Sequence, residues 1–146
     1  MKKIISLSLF STFLLFMSCQ DILECVINRH PELSSKTLAY AQINHLYSET
    51  IKAEIKNEPM DDNYDYYFSI DGNLPRGIDY YVDYRTIVFE GEPYLTGTYK
   101  FTIRLSVEQS YNYSEECENN FNDCDGLCSE STSQVYTIIV NWNEVN

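Results

Sequence analysis

Four cysteines have the clearest chemical options in this chain. They are Cys25, Cys117, Cys124 and Cys128. Such thiols either hold zinc, usually through closely spaced C-x-x-C pairs, or pair as disulfides in an oxidising compartment. The last three lie seven and four residues apart without any C-x-x-C, and both histidines are far away in sequence. The pattern favours two disulfides over a zinc site, and three pairings are open.

Two groups of carboxylates have the oxygen-rich character that Ca²⁺ prefers. The five candidate ligands are Asp61, Asp62, Asp65, Asp123 and Asp125. No EF-hand register fits them, because aligning Gly126 with the glycine of that motif puts Phe121 at the first ligand position. Acidic surface loops are also commonly just solvated. Calcium at these aspartates is therefore a secondary expectation, and we expect no other cofactor.

The residue pattern gives little support for a catalytic function. A catalytic triad needs a histidine oriented beside a nucleophile, yet His30 precedes a proline near the N-terminus and His45 precedes a predicted strand. The sequence contains no G-x-S-x-G motif and no phosphate-binding glycine-rich loop. We therefore expect a protein that is not an enzyme.

Exposed aromatic residues offer a different chemistry, because a tyrosine ring can stack on a sugar or anchor a protein partner. The chain has 13 tyrosines, and strand alternation assigns part of them to the core. We assign the others to a candidate contact surface for a glycan or a protein, represented by Tyr67, Tyr81, Tyr111 and Tyr113.

The charge balance excludes another class of partner. The chain has 10 basic and 22 acidic residues, a net charge of −12. Nucleic acids and anionic lipid surfaces both require clustered Lys and Arg. We therefore expect no nucleic-acid partner.

The N-terminus has the layout of an export signal, with two lysines followed by an apolar run over residues 4–17. The run is too short to span a bilayer, which takes about 20 apolar residues. The sequence Phe-Met-Ser-Cys at its end resembles the bacterial lipobox. The resemblance implies that residues 1–18 are removed and that Cys19 carries a lipid. Gln20 follows where Asp would favour the inner membrane, so we expect the outer membrane.

Hydrophobic alternation predicts strands in the rest of the chain. The two clearest runs are residues 47–56, where Glu49 is the exception on the apolar face, and residues 99–107. Shorter runs surround Phe68, Phe89 and Ile138, and turn-forming residues separate all of them. A helix is expected only within residues 22–41. The pattern predicts an all-β antiparallel sandwich.

Four segments resemble, in order and spacing, immunoglobulin-like domains of bacterial surface proteins that are related to cadherin-like, dystroglycan-type modules. They are LYSETIKAEI, YFSIDGNLPRGIDYY, IVFEGEP and TGTYKFTIRLSV. The resemblance implies an immunoglobulin-like domain over residues 37–146, preceded by a linker at 19–36. It also implies a tyrosine corner at Gly97 and Tyr99, with Phe101 where an antibody domain has an inter-sheet cysteine.

A long polar segment at residues 109–133 departs from that family, whose last two strands are joined by a short turn. It holds three of the four cysteines discussed above. In an immunoglobulin-like sandwich the first strand begins at the end where the last hairpin turns back, so the resemblance places Cys25 within reach of this segment. We predict the pairs Cys25–Cys117 and Cys124–Cys128.

Together these inferences predict a membrane-anchored, non-catalytic envelope lipoprotein that serves adhesion, recognition or assembly. Its partners would be the membrane, through the lipid, and a protein or glycan. The alternative is an accessory binding subunit of an outer-membrane uptake or secretion complex. A passive structural spacer is the third interpretation.

Overall fold

A computed structural model describes residues 28–110 and 126–142. Within these stretches the chain forms eight strands and one 3₁₀ turn, at Asp61–Asn63. The segment 28–41, where the sequence left room for a helix, contains strands instead. No described helix is long and apolar enough to cross a bilayer.

The first sheet contains four strands that all run antiparallel to their neighbours. In spatial order they are β1 (His30–Leu33), β3 (Tyr47–Lys56), β6 (Thr86–Gly91) and β5 (Ile78–Asp83). Strands β1 and β5 form its edges.

The second sheet also contains four strands. In spatial order they are β2 (Ala41–Gln42), β8 (Ser131–Asn141), β7 (Gly97–Gln109) and β4 (Tyr64–Gly72). Strand β2 runs parallel to β8, and the other pairs are antiparallel. The first two strands of the described residues are thus short and join opposite sheets. This arrangement is an immunoglobulin-like β-sandwich, as the sequence predicts.

The core lies between the two sheets, where alternate residues of the long strands are buried. Phe89 of the first sheet meets Phe101 of the second, with ring centroids 5.2 Å apart. Tyr136, opposite Phe101 on β8, stacks on it at 6.1 Å. Phe101 is 1% exposed. An aromatic contact therefore links the sheets where antibody domains have a disulfide.

The Leu-Pro-Arg-Gly segment forms the tight turn before β5. The backbone N–H of Ile78 donates to the carbonyl of Pro75 over 3.0 Å. Gly77 has a φ of +95°, and a Cβ there would lie 2.2 Å from the carbonyl oxygen of Glu92. Only glycine suits this position, because L side chains are strained at such a φ and the neighbouring backbone leaves no space.

The predicted tyrosine corner is present at the start of β7. The hydroxyl of Tyr99 donates to the backbone carbonyl of Leu95 over 3.0 Å. This bond ties the β6–β7 connection to the strand that follows it.

Strand β1 lies inside the segment 19–36 that the sequence analysis assigned to a linker. The sequence does not indicate this strand, because Pro31 lacks the N–H that a ladder requires and so argues against a strand here. It is tolerated here because β1 is an edge strand, where Pro31 lies opposite Ile55 of β3. The sandwich therefore begins earlier in the chain than residue 37.

The boundaries of the predicted insertion at 109–133 also change. Strand β7 continues to Gln109, and β8 begins at Ser131. Ser131 pairs with Ser106, and the N–H of Val107 donates to the carbonyl of Glu130 over 2.9 Å. The last residues assigned to the loop thus belong to the sheet.

Candidate binding face

Six side chains on the outer surface of the second sheet form the candidate site, which we call the hydroxyl face. They come from β4, β7 and β8 and are Tyr67, Ser69, Arg104, Ser106, Ser131 and Ser133. Their chain neighbours Phe68 and Leu105 pack in or against the core. Because successive strand residues point to opposite faces, the six side chains point outward.

The strand register places the six residues in two rows across the sheet. One row holds Tyr67, Ser106 and Ser131, and the other holds Ser69, Arg104 and Ser133. Neighbouring strands lie about 4.8 Å apart, and alternate residues of one strand lie about 6.7 Å apart. The hydroxyl face therefore covers an area of about 10 by 7 Å.

A shallow depression of about 520 Å³ lies at these rows. All six residues of the hydroxyl face line it, together with Phe68, Leu105 and Thr132, which alternate with them along the strands. A serine hydroxyl donates one hydrogen bond and accepts others. The depression therefore presents donors and acceptors side by side.

Arg104 is the cation of the hydroxyl face, and it pairs with Asp71 of β4. Its Nη2 lies 3.1 Å from Oδ2 of Asp71, and the two side chains are 63% and 72% exposed. An exposed pair of this kind contributes about 0–1 kcal/mol to stability. Both charged groups remain accessible to a ligand from solvent.

Tyr67 and Tyr81, two of the tyrosines predicted as one contact surface, do not lie together. Tyr67 and Tyr81 are each 50% exposed, but Tyr67 points outward from the second sheet. Tyr81 points outward from the first, opposite Val88. The two rings therefore lie on opposite sides of the sandwich, which corrects the expectation of a shared surface for this pair. Tyr111 and Tyr113 lie outside the described residues.

Arg85 binds two of the aspartates predicted as calcium ligands. Its Nη1 pairs with the carboxylate of Asp61 and its Nη2 with that of Asp62. The guanidinium also lies over the rings of Tyr66 and Tyr84, 5.6 and 5.2 Å from their centroids. Burial and the nearby Asp61 carboxylate raise the pKa of Tyr66. An arginine thus occupies the carboxylates that a calcium ion would need.

The third aspartate of that group, Asp65, lies on β4 opposite Glu108 of β7. In the described parts of the chain, no group of three or more His, Cys, Asp and Glu is arranged to hold a metal ion. Asp61, Asp62 and Asp65 therefore do not form a ligand set there. Asp123 and Asp125 lie outside the described residues.

Cys128 is the candidate cysteine that falls within the described residues. It is disulfide-bonded, and its backbone N–H donates to the carbonyl of Arg29 over 2.8 Å. The end of the long β7–β8 connection therefore lies beside the segment that leads into β1. The remaining cysteines of the predictions lie outside the described residues: Cys19, Cys25, Cys117 and Cys124.

The two histidines lie at opposite ends of β3. His30 pairs with Lys56 at the end of that strand, whereas His45 precedes its first residue, Tyr47. Each ring Nδ1 lies within hydrogen-bond distance of a backbone carbonyl two residues earlier, at 2.8 and 2.9 Å. They are therefore not brought into one site.

The sequence analysis missed five of the six residues of the hydroxyl face. Alternation along residues 99–107 does put Arg104 and Ser106 on the polar side of a strand. It does not show which strands lie next to it. The serines contributed by β4 and β8 join this face only through the sheet order, which is not local information.

No known family profile and no curated protein sequence matches this chain. Among solved structures, it is similar to the endo-fucoidan hydrolase of glycoside hydrolase family 107, with 19% identity, a TM-score of 0.46, and coverage of 77% of this chain and 14% of the hydrolase. It is also similar to titin domain M7, with 11% identity and a TM-score of 0.40. The match covers 76% of this chain and 93% of the titin domain. Tandem immunoglobulin repeats of Dlar give 10% identity and a TM-score of 0.39. The match covers 75% of this chain and 47% of the Dlar chain.

This chain spans only a small part of the larger proteins it resembles. It covers 18% of two Bacteroides fragilis structures provisionally named as α-galactosidases, at TM-scores of 0.44. At such identities the likeness concerns the fold alone.

Proposed function

We propose that this chain is a non-catalytic binding module that a bacterium holds in its envelope, at the outer membrane, through a lipid on Cys19. The export signal and the lipobox-like junction support the anchor. The cadherin-like, dystroglycan-type relationship is part of the same proposal and rests on the four sequence segments that resemble those modules.

The observation that carries the binding role is the hydroxyl face. It combines a half-exposed ring, an exposed arginine and four serines over a depression of about 520 Å³, and Asp71 pairs with that arginine from beside the face. Core-forming residues occupy the other side of the same strands. These outward side chains therefore do not pack in the core and are available to bind a partner.

A tether at the N-terminus is compatible with a free hydroxyl face. Strand β1 begins at His30, which is 11 residues after Cys19. An extended segment of that length reaches up to about 36 Å. The hydroxyl face lies on the side of the sandwich, so a lipid attached through this segment leaves it exposed to solvent.

Site-specific photo-crosslinking in cells tests the binding role. A photoreactive residue replaces Ser106 on the hydroxyl face, and the matched control replaces Thr50, which is exposed on the outer surface of β3. We expect a discrete crosslinked species from position 106 and none from position 50. Equal labelling at both positions, or no labelling at position 106 together with no ligand bound at this face in vitro, contradicts the proposal. A transport or secretion component in that species favours the accessory subunit, and an adhesin favours the adhesion role.

Lipid labelling tests the anchor separately. We expect an alkyne-bearing fatty acid to label the full chain, and Cys19→Ala to lose both the label and the membrane association. Cys25→Ser removes a different thiol from the same region and should keep the label. Labelling that survives Cys19→Ala contradicts the anchor without affecting the binding role.

A further inference from the structure

We infer that the ligand of the hydroxyl face is a neutral saccharide, an inference that rests on the proposed binding role and names its ligand class. The observation behind it is the juxtaposition, on three adjacent strands, of one half-exposed tyrosine, an exposed Arg–Asp pair and four serines.

Tyr67 supplies the apolar contact. Its side chain is 50% exposed at one end of a row that continues with two serines. The C–H surface of a sugar ring packs on an aromatic ring, while the sugar hydroxyls at its edge keep their hydrogen bonds. A single ring beside polar groups matches this amphipathic surface.

The polar groups match sugar hydroxyls in kind. The Asp71 carboxylate accepts hydrogen bonds, the Arg104 guanidinium donates them, and the serines do both. Neighbouring hydroxyls of one sugar need a donor and an acceptor close together, as in the Arg104–Asp71 pair, whose atoms lie 3.1 Å apart. The area of about 10 by 7 Å suits one or two sugar rings.

The negative charge of the chain and of the residues beside the hydroxyl face favours a neutral ligand over an acidic one. The chain has a net charge of −12, and Asp65 and Glu108 lie beside the hydroxyl face as the next outward residues of their strands. The positive charge of Arg104 is already offset by Asp71. An acidic polysaccharide would therefore meet net repulsion.

Composition disfavours a protein partner. Protein–protein interface cores are enriched in aromatic residues, Met and Arg and depleted in Ser. Four of the six residues of the hydroxyl face are serines, and its aromatic residue is Tyr67 alone. This pattern fits recognition through many hydroxyl contacts better than through a buried apolar anchor.

Titration of the chain from residue 20 onward, followed by amide NMR shifts, tests the inference. The probes are neutral hexasaccharides of glucose, mannose, galactose and xylose, with hexagalacturonate as the anionic counterpart, each up to about 10 mM, which covers weak affinities. We expect saturable shifts at Ser69, Arg104 and Ser133 with at least one neutral probe. No saturable shift there with any neutral probe, or tighter binding of hexagalacturonate, overturns the inference.

Two matched pairs of variants locate the contact. Tyr67→Ala should weaken binding about tenfold, while Tyr81→Ala, an equally exposed tyrosine on the other sheet, should leave it within about twofold. Arg104→Gln should also weaken binding about tenfold, and Lys100→Gln, which removes the same charge elsewhere on β7, should not. Equal losses within either pair overturn the inference.

The two proposals fail in distinguishable ways. A species crosslinked from position 106 in cells, with no saccharide bound in vitro, removes the saccharide and leaves the binding role. Failure of both experiments removes both.

Discussion

At the scale of single residues, two buried tyrosines differ in the state of their hydroxyl groups. Tyr136 is 3% exposed, and its hydroxyl donates to the carbonyl of Ser34 over 2.9 Å. Tyr47 is 5% exposed, and its hydroxyl has no hydrogen-bond partner among the described residues. Burial, with the charge of Glu49, raises the pKa of Tyr47, so its hydroxyl keeps its proton. A buried donor without a partner costs stability.

Replacing each tyrosine with phenylalanine tests this difference. Tyr47→Phe removes a buried unsatisfied hydroxyl, so the free energy of unfolding should stay the same or rise by up to about 1 kcal/mol. Tyr136→Phe breaks a hydrogen bond and leaves the Ser34 carbonyl without it, which should lower that free energy by about 1 kcal/mol. Urea unfolding at neutral pH measures both. Similar losses in the two variants would show that the Tyr47 hydroxyl has a partner after all.

Glu49 is the acid that interrupts the apolar face of β3, and its surroundings explain why it is tolerated there. Its carboxylate pairs with Lys36 and accepts a hydrogen bond from the N–H of Ala39 over 3.2 Å. Partial burial opposes its ionisation, but these bonds and the charge of Lys36 outweigh burial and lower the pKa of Glu49. The segment between β1 and β2 thus supplies the partners of the Glu49 carboxylate, which alternation alone would place unpaired on the apolar face.

The lowered pKa predicts how stability depends on pH. Glu49 contributes stability above the pKa it has in the unfolded chain, and this contribution is lost as the pH falls through its lower folded pKa. Glu49→Gln should therefore lower stability at pH 7 and flatten the loss of stability below about pH 5. Urea unfolding from pH 7 to pH 3 measures the slope. Glu90→Gln, at an exposed position on β6, is the control and should keep the slope of the natural chain.

At the scale of elements, the turn before β5 depends on one glycine. Alanine at position 77 would need a φ of +95° and would place its Cβ 2.2 Å from a backbone oxygen. The left-handed region costs an L residue about 1–2 kcal/mol, and the contact adds to this, so Gly77→Ala should lower stability by more than about 2 kcal/mol. Thermal unfolding monitored by circular dichroism measures the effect. Arg76→Ala, at the neighbouring exposed position of the same turn, should change stability little, and an equal loss there would refute the argument.

The strands that sequence alone predicts are those whose two faces have different environments. Strands β3, β6, β7 and β8 each bury one face, and β4 packs one face against the core, so their alternation is visible. Alternation does not reveal strand β5, because even its inward residues Tyr80 and Val82 are each 44% exposed. Strand β2 is two residues long and has no period to detect.

At the scale of the whole molecule, the hydroxyl face shows where local patterns stop being informative. The outward position of each of its residues follows from alternation in its own strand. Their meeting depends on β4, β7 and β8 being neighbours, although β4 and β8 are 58 residues apart in sequence. The resemblance to immunoglobulin-like domains implied the sandwich, but serines on its outer surface carry no signature of a site.

The closure of the chain onto its own N-terminal segment is also a property of the whole molecule. Cys128 is disulfide-bonded and donates a hydrogen bond to Arg29, four residues from Cys25 in sequence. The bonded partner of Cys128 lies outside the described residues, and from the position of Cys128 beside Arg29 we predict Cys25–Cys128 in place of the pairing predicted from the sequence. Closing a loop of about 100 residues stabilises the fold by up to about 4.7 kcal/mol in the chain-entropy model.

Peptide mapping of the unreduced protein decides between the pairings. Cleavage with trypsin and with an enzyme that cuts before aspartate separates all four cysteines, because Asp123 and Asp125 each precede a cysteine within the loop. We expect a linked peptide that contains Cys25 and Cys128, and a lower unfolding midpoint in urea for Cys25→Ser than for Cys124→Ser. A linked peptide that joins Cys124 to Cys128 would instead support the original pairing, and the bridge to Cys128 would then contribute only the small entropy of a short loop.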